Sequence, residues 1–238
     1  MLQRLVFWLL LPVTAIQGLR LRHQALRLPG ASGDRQGVVG SGEALHLLAL
    51  GDSIIDGVGT AHVDESLPGQ FAFALSEELG RSVHWRIEGQ TGHTIEDVLD
   101  CLRSIESGYH ADILLLSVGV NNVTGMSSTR YWRSKMKRLM GDITRKFPQA
   151  RILFAGLPPM SLFPLPPQPL RFALGLRAST LDRIAQTVIA DYSNATHIPT
   201  SINPREHGFC EDGFHPSAES CNLWARELAI IESRRETA

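Results

Sequence analysis

Hydrophobic positions along the chain fall into two alternating rhythms. Nearly unbroken apolar runs of strand length occur at 46–51 (HLLALG), 82–87 (SVHWRI), 112–119 (DILLLSVG), 151–158 (RILFAGLP) and 195–200 (ATHIPT). Between them, and after the last, come longer segments whose apolar residues recur three and four apart, at 68–80, 94–105, 129–147, 177–192 and 217–232. The first rhythm predicts buried strands and the second predicts amphipathic helices. Five strands alternating with five helices imply an α/β fold in which a parallel sheet carries helices on both faces, spanning residues 46–238. In that architecture a ligand lies outside the carboxyl ends of the strands.

Three segments stand outside the rhythm. Residues 28–45, opening LPGASGDRQGVVGSGE, are rich in Gly and Ser and read as a linker. Residues 1–27 hold an apolar run at 5–16 with Arg4 before it and Arg20, Arg22 and Arg27 after it. That run is too short to span a bilayer comfortably. It suits a signal peptide or a helix lying on an anionic membrane surface, two readings that together outweigh a helix packed on the domain. An exported, periplasmic or membrane-associated location is therefore expected over a cytoplasmic one. The third segment, 157–175 (LPPMSLFPLPPQPLRFALG), is proline-rich, apolar and too irregular for core.

Composition narrows the function. Against 23 Lys and Arg stand 24 Asp and Glu, a formal net charge of -1, so no basic field exists to collect phosphates and nucleic acid is not an expected partner. Cys101, Cys210 and Cys221 are too few for a disulfide framework and lack the paired spacing of a zinc site. They read as free thiols, with a Cys210–Cys221 bridge as the lesser alternative. His93 and His110 look isolated, and no phosphate-cradling glycine loop is present, so neither metal nor organic cofactor is expected.

The strand ends are where polar and glycine residues gather. The first strand ends in Gly51-Asp52-Ser53, the second leads into Gln90-Thr91-Gly92, and the third ends in Gly119-Val120-Asn121-Asn122. Asp212 and His215 lie three apart just before the final helix. Serine is a poor nucleophile unless a base within hydrogen-bond reach is itself held in one tautomer by a third group. His215 and Asp212 supply those two groups if their loop folds over the first strand. Taken alone, Asp212 would be a turn cap and His215 a surface residue; the strand-end serine tips the reading to catalysis. The N–H groups of Ser53 and Gly92 and the Asn121 amide are candidate donors to an oxyanion.

With these residues in view, the sequence resembles the SGNH hydrolase superfamily, the GDSL esterases and lipases. Gly51-Asp52-Ser53-Ile54 matches the first block, with isoleucine where leucine is commoner. Gly92 matches the second, Gly119-Val120-Asn121-Asn122 the third, with Asn122 where Asp is usual, and Asp212 with His215 the last. The resemblance implies a three-layer α/β/α flavodoxin-like fold with a five-stranded parallel sheet and no cofactor. It also implies Ser53 as nucleophile, His215 as general base and acid, Asp212 as its partner, and Ser53, Gly92 and Asn121 as the oxyanion hole. Met160, Leu162, Phe163 and Leu165 in the proline-rich loop could line an acyl groove, or the loop could be rigid packing. The expected substrates are medium or long acyl esters, thioesters or lysophospholipids. Sugar de-acetylation comes next, and a catalytically silent binding module on the same fold is the rival from another class.

Overall fold

The computed structural model describes residues 2–200 and 208–236, without the side chains of residues 2–11 and 24. Along the chain run α1 (Leu2–Gln24), β1 (Gln36–Val39), β2 (Ala44–Gly51), α2 (Leu67–Leu79), β3 (Ser82–Gly89) and α3 (Ile95–Ser104). They are followed by β4 (Ile113–Ser117), the short α4 (Val120–Thr124), α5 (Thr129–Lys146), β5 (Arg151–Ala155), α6 (Leu170–Ile189), β6 (Ala195–Ile198) and α7 (Ala218–Glu236).

The strands form one sheet in the order β1-β3-β2-β4-β5-β6, all parallel except β1, which pairs antiparallel with β3. The five parallel strands are those expected, and their order is the doubly wound, flavodoxin-like one. The sixth is a correction: β1 lies inside the glycine-rich stretch read as a linker. Two valines among glycines are too short a signal to register as a period, and the strand is held through its pairing with the open edge of β3.

Alternation along the strands builds two cores. Leu48 and Leu50 of β2, Leu114 and Leu116 of β4 and Ile152 and Phe154 of β5 face α3, α5 and α6. Leu45, Leu47, Ala49, Ile113, Leu115 and Leu153 point the other way, against α2 and α7. With both faces covered, every position of β4 is buried, which is why its sequence reads as a continuous apolar run. The helices begin where capping side chains stand: Ser66 Oγ accepts from Gly69 N at the start of α2, and Ser128 Oγ from Tyr131 N at the start of α5.

The proline-rich segment is shorter as a loop than expected, because α6 begins at Leu170 rather than near residue 177. Its cap comes from far away: Gln17 Oε1 of α1 accepts from Leu170 N at 3.1 Å, and Gln17 Nε2 donates to Gln168 O at 2.8 Å. Leu21 adds an apolar contact to the α3/α5/α6 core, and Thr14 is buried. Val13, Ile16 and Leu19 of the same helix are exposed. Among the described residues no helix is long and apolar enough to cross a membrane.

Candidate active site

Ser53 follows directly on β2, the strand flanked by β3 on one side and β4 on the other, where the connections diverge and leave a crevice. The turn is tied down from within. Asp52 N donates to Ser117 O of β4 at 3.0 Å, Asp56 N to Asp52 O at 2.9 Å and Val58 N to Ser53 O at 3.0 Å. The Asp52 carboxylate is buried beneath this turn and accepts from Ile54 N at 3.2 Å. Burial pushes it up to about 6, against the pull of backbone donors at Ile54 and Gly119 and of the nearby His215.

A tight loop brings the other two groups over. Cys210 N donates to His215 O at 2.9 Å and Gly213 N to Cys210 O at 3.0 Å, folding residues 210–215 back on themselves. An aromatic cluster anchors it, with Phe163 edge-on to Phe209 and Phe214 at 4.9 and 5.1 Å between ring centres. Leu165 N also donates to Gly213 O at 3.1 Å. From this loop His215 Nε2 stands 3.0 Å from Ser53 Oγ, and His215 Nδ1 stands 2.6 Å from Asp212 Oδ2. Residues 162 apart in sequence thus meet at hydrogen-bond distance. The other carboxylate oxygen, Asp212 Oδ1, accepts from Phe214 N at 2.8 Å, His215 N at 2.9 Å and the Cys210 thiol at 3.1 Å. Burial alone would raise Asp212, but the donors from His215, Cys210 and Phe214 outweigh it and hold the carboxyl far below its ordinary range. An ionised carboxylate fixed on Nδ1 leaves Nε2 free to accept the serine proton.

The donors expected to complete the site lie in two adjoining turns. Gly92, after β3, has φ 91°, a conformation that favours glycine, and its Cα faces open space. Thr91 N beside it donates to Asp56 Oδ2 at 2.9 Å, and Asp56 Oδ1 pairs with Arg35 at 2.8 Å, so the turn is braced against the loop that follows Ser53. Gly119 has φ 136°, and a Cβ there would sit 2.9 Å from Trp132. That strained entry starts α4 and sets Asn121, whose Nδ2 donates to His93 O at 2.9 Å, linking α4 to the Gly92 turn. One amide N–H of Asn121 is thereby fixed, and the second remains to donate elsewhere. Asn122 is buried: its Oδ1 accepts from Ile95 N at 3.0 Å and its Nδ2 donates to Ser127 Oγ at 3.0 Å. It ties the start of α3 to the end of α4.

Several sequence expectations need correction. Of the residues expected to line an acyl groove, Met160 and Phe163 are 0% and 2% exposed and pack against the core. Leu162 is 50% exposed and Leu165 half-buried, so only these two of the four reach the surface. The reason is the short helical turn at Met160–Leu162, which points Met160 inward. His110 is not isolated: it lies with His46 and Asp112 at the far end of the sheet. Cys101, Cys210 and Cys221 are free thiols. Sequence reasoning missed Cys210 as a donor to Asp212 and Asp56 as the brace of the Gly92 turn. The cysteine stands only two residues from Asp212, and that nearness was the available signal.

Comparison with known proteins places this geometry. No curated protein sequence matches the chain. Solved structures do, among them the family 3 carbohydrate esterase of Clostridium thermocellum at 16% identity and TM-score 0.65, covering 82% of this chain and 100% of that one. The extracellular lipase of Streptomyces rimosus matches at 16% identity and TM-score 0.60, with coverage of 79% and 99%. Est24, a carbohydrate acetylesterase from Sinorhizobium meliloti, matches at 17% identity and TM-score 0.57, with coverage of 80% and 99%. At such identities the likeness is one of fold. The profile of the GDSL-like lipase/acylhydrolase family, however, matches residues 49–220, from the end of β2 through the Asp212–His215 loop. The chain belongs to the GDSL-like lipase/acylhydrolase family.

Proposed function

We propose that this protein is a serine esterase that hydrolyses acyl esters with short acyl groups, using Ser53, His215 and Asp212 as its triad. The observation that carries the reading is the hydrogen-bonded line from Asp212 Oδ2 through His215 to Ser53 Oγ, at 2.6 and 3.0 Å. In the first half-reaction Ser53 Oγ attacks the ester carbonyl while His215 Nε2 takes its proton. The tetrahedral oxyanion is met by the Ser53 and Gly92 N–H groups and the free N–H of Asn121. Collapse expels the alcohol, which receives the proton from His215, and leaves an acyl-serine. Water then repeats the sequence with His215 again as base, releasing the acid.

The short-acyl preference rests on the burial of Met160 and Phe163, which removes two of the four side chains that a long apolar groove would need. A carbohydrate acetylesterase and a carbohydrate esterase are among the structurally similar proteins, which supports acetyl groups on sugars as the leading natural substrate class. A panel of p-nitrophenyl esters from acetate to palmitate tests the preference: kcat/KM should be highest for the shortest esters and fall as the acyl chain lengthens. A maximum at decanoate or longer would return the reading to lipids and lysophospholipids. A folded protein inert towards the whole panel and unlabelled by a fluorophosphonate would favour the silent binding module.

The exposed Val13, Ile16 and Leu19, with Arg20 and Arg22 on the same helix, support a second, weaker proposal: α1 touches an anionic membrane surface while its other side packs on α6. Co-sedimentation with vesicles containing phosphatidylglycerol should show binding that is lost in Ile16→Glu/Leu19→Glu. Equal sedimentation of the two forms excludes it.

A further inference from the structure

At the end of the sheet opposite Ser53, strand pairing gathers two imidazoles around one carboxylate, with a third imidazole alongside. His46, the third residue of β2, lies in register with His84 of β3, and their ring centres are 5.2 Å apart. The loop entering β4 adds His110, whose ring centre is 5.3 Å from that of His46, and Asp112. The Asp112 carboxylate sits between them: Oδ2 lies 3.3 Å from His46 Nδ1 and Oδ1 lies 2.9 Å from His110 Nε2. It is not a loose surface group. Its Oδ2 also accepts from His46 N at 2.7 Å, and Asp112 N donates back to His46 O at 2.9 Å, so the carboxylate is fixed to β2 at two points.

Taking one donor atom from each of His46, His110 and Asp112, all three lie within 4.8 Å of one another. A tetrahedral ion with nitrogen and oxygen ligands at 2.0–2.2 Å sets neighbouring ligand atoms about 3.3–3.5 Å apart, so side chains within 4.8 Å of one another would have to draw in around it. The donor set, two imidazoles and one carboxylate, suits zinc and neighbouring transition metals rather than calcium or magnesium, which take oxygen ligands throughout. His46, 38% exposed, and Asp112, 32% exposed, are shielded by their own strands, whereas His110 at 60% opens to solvent, so an ion has a way in. His84, with its ring centre 5.2 Å from that of His46, flanks the cluster on the β3 side.

We propose that His46, His110 and Asp112 bind one divalent transition-metal ion of the zinc class, with His84 or water as the fourth ligand. The site is remote from the triad: five residues of β2 and then Asp52 lie between His46 and Ser53, roughly 20 Å of extended chain. Its role is structural, clamping the loop before β4 onto the start of β2.

The test uses untagged full-length protein, stripped with a chelator and dialysed against micromolar zinc chloride. The wild type should retain about one zinc per chain, and its Tm should climb with the logarithm of zinc concentration, as for any ligand that binds only the folded state. His110→Ala, an exposed position, should fold normally and hydrolyse p-nitrophenyl acetate at the wild-type rate without added zinc. It should bind zinc at least about tenfold more weakly, since losing even a residue that merely orients a ligand costs 10- to 100-fold. Unchanged zinc uptake in His110→Ala overturns the assignment. So does a wild-type Tm indifferent to zinc, or zinc uptake that is lost in His215→Ala instead, which would put the ion at the triad.

Discussion

The two ends of the sheet each hold a histidine against an aspartate, yet they present different chemistry. At the carboxyl end, His215 and Asp212 have side chains 16% and 3% exposed, and a hydroxyl waits 3.0 Å from the free imidazole nitrogen. At the amino end, His46 and Asp112 are 38% and 32% exposed, and what stands nearby is not a hydroxyl but a second imidazole. The Asp212 carboxylate is committed, one oxygen to Nδ1 and the other to three donors, so it holds a single ring in a single tautomer. Asp112 divides its two oxygens between His46 and His110, so two imidazoles meet at one carboxylate. An imidazole–carboxylate pair therefore does not define a function. Its neighbours distinguish the two readings proposed: a strand-end serine suits the pair to act as a base, and a second histidine suits it to hold an ion.

The sharpest way to break this contrast is to remove the hydroxyl at one end and an imidazole at the other. Ser53→Ala should lower kcat for ester hydrolysis by on the order of 10⁶, whereas His110→Ala should leave it unchanged. Asp212→Asn should cost on the order of 10⁴ in kcat, less than the serine, with KM nearly constant, because the carboxylate orients and stabilises the imidazolium without reacting. A change confined to KM would show that Asp212 serves binding instead. Asn121→Ala should lose about 10² to 10³ in kcat, again with little change in KM, as expected for a donor that gains strength only in the transition state.

Asp52 sharpens the comparison through stability. Its folded-state value of about 6 lies above the unfolded value near 4, so ionising it opposes folding. No penalty exists below the unfolded value, and the full penalty is present above about 6. Asp52→Asn should therefore gain on the wild type in stability, read as a rising Tm difference, between pH 4 and pH 7, by up to about 3 kcal/mol of unfolding free energy at the upper end. Asp212 has the opposite sign: its depressed value stabilises the fold above the unfolded pKa, and that contribution is lost as pH falls below it. A Tm difference between Asp52→Asn and wild type that does not vary with pH would refute the buried charge. The smallest effect belongs to Asn122→Asp, which keeps the acceptor for Ile95 N and can accept from the Ser127 hydroxyl, so activity should stay within about tenfold. If Asn122→Ala cost as much kcat as Asn121→Ala, the roles given to these two residues would have to be exchanged or merged.

What was legible in the sequence follows from the same contrast. β2, β4 and β5 declare themselves because a sheet covered on both faces needs apolar side chains at every position, and Ser53 and Asn121 stand out as polar residues just past the ends of such runs, with the Asp212–His215 pair just before the final helix. The edge strand β1 left no such trace, since Gln36 to Val39 is held by pairing with β3 rather than by burial of its own side chains. The start of α6 was hidden because its cap is Gln17, 153 residues away. The burial of Met160 and Phe163 was hidden for a different reason: a loop rich in proline conceals a single helical turn with Met160 on its inner side. The His46–His110–Asp112 cluster was invisible because its members are joined by strand register, not by spacing along the chain.

The central claim is that Ser53 forms the covalent acyl intermediate, and intact-protein mass spectrometry after treatment with a fluorophosphonate addresses it most directly. A single phosphonyl adduct on the peptide carrying Ser53, absent from Ser53→Ala and formed more slowly in Asp212→Asn, is the result expected. An adduct on another residue, or a folded protein that remains unlabelled while still hydrolysing p-nitrophenyl acetate, would contradict it.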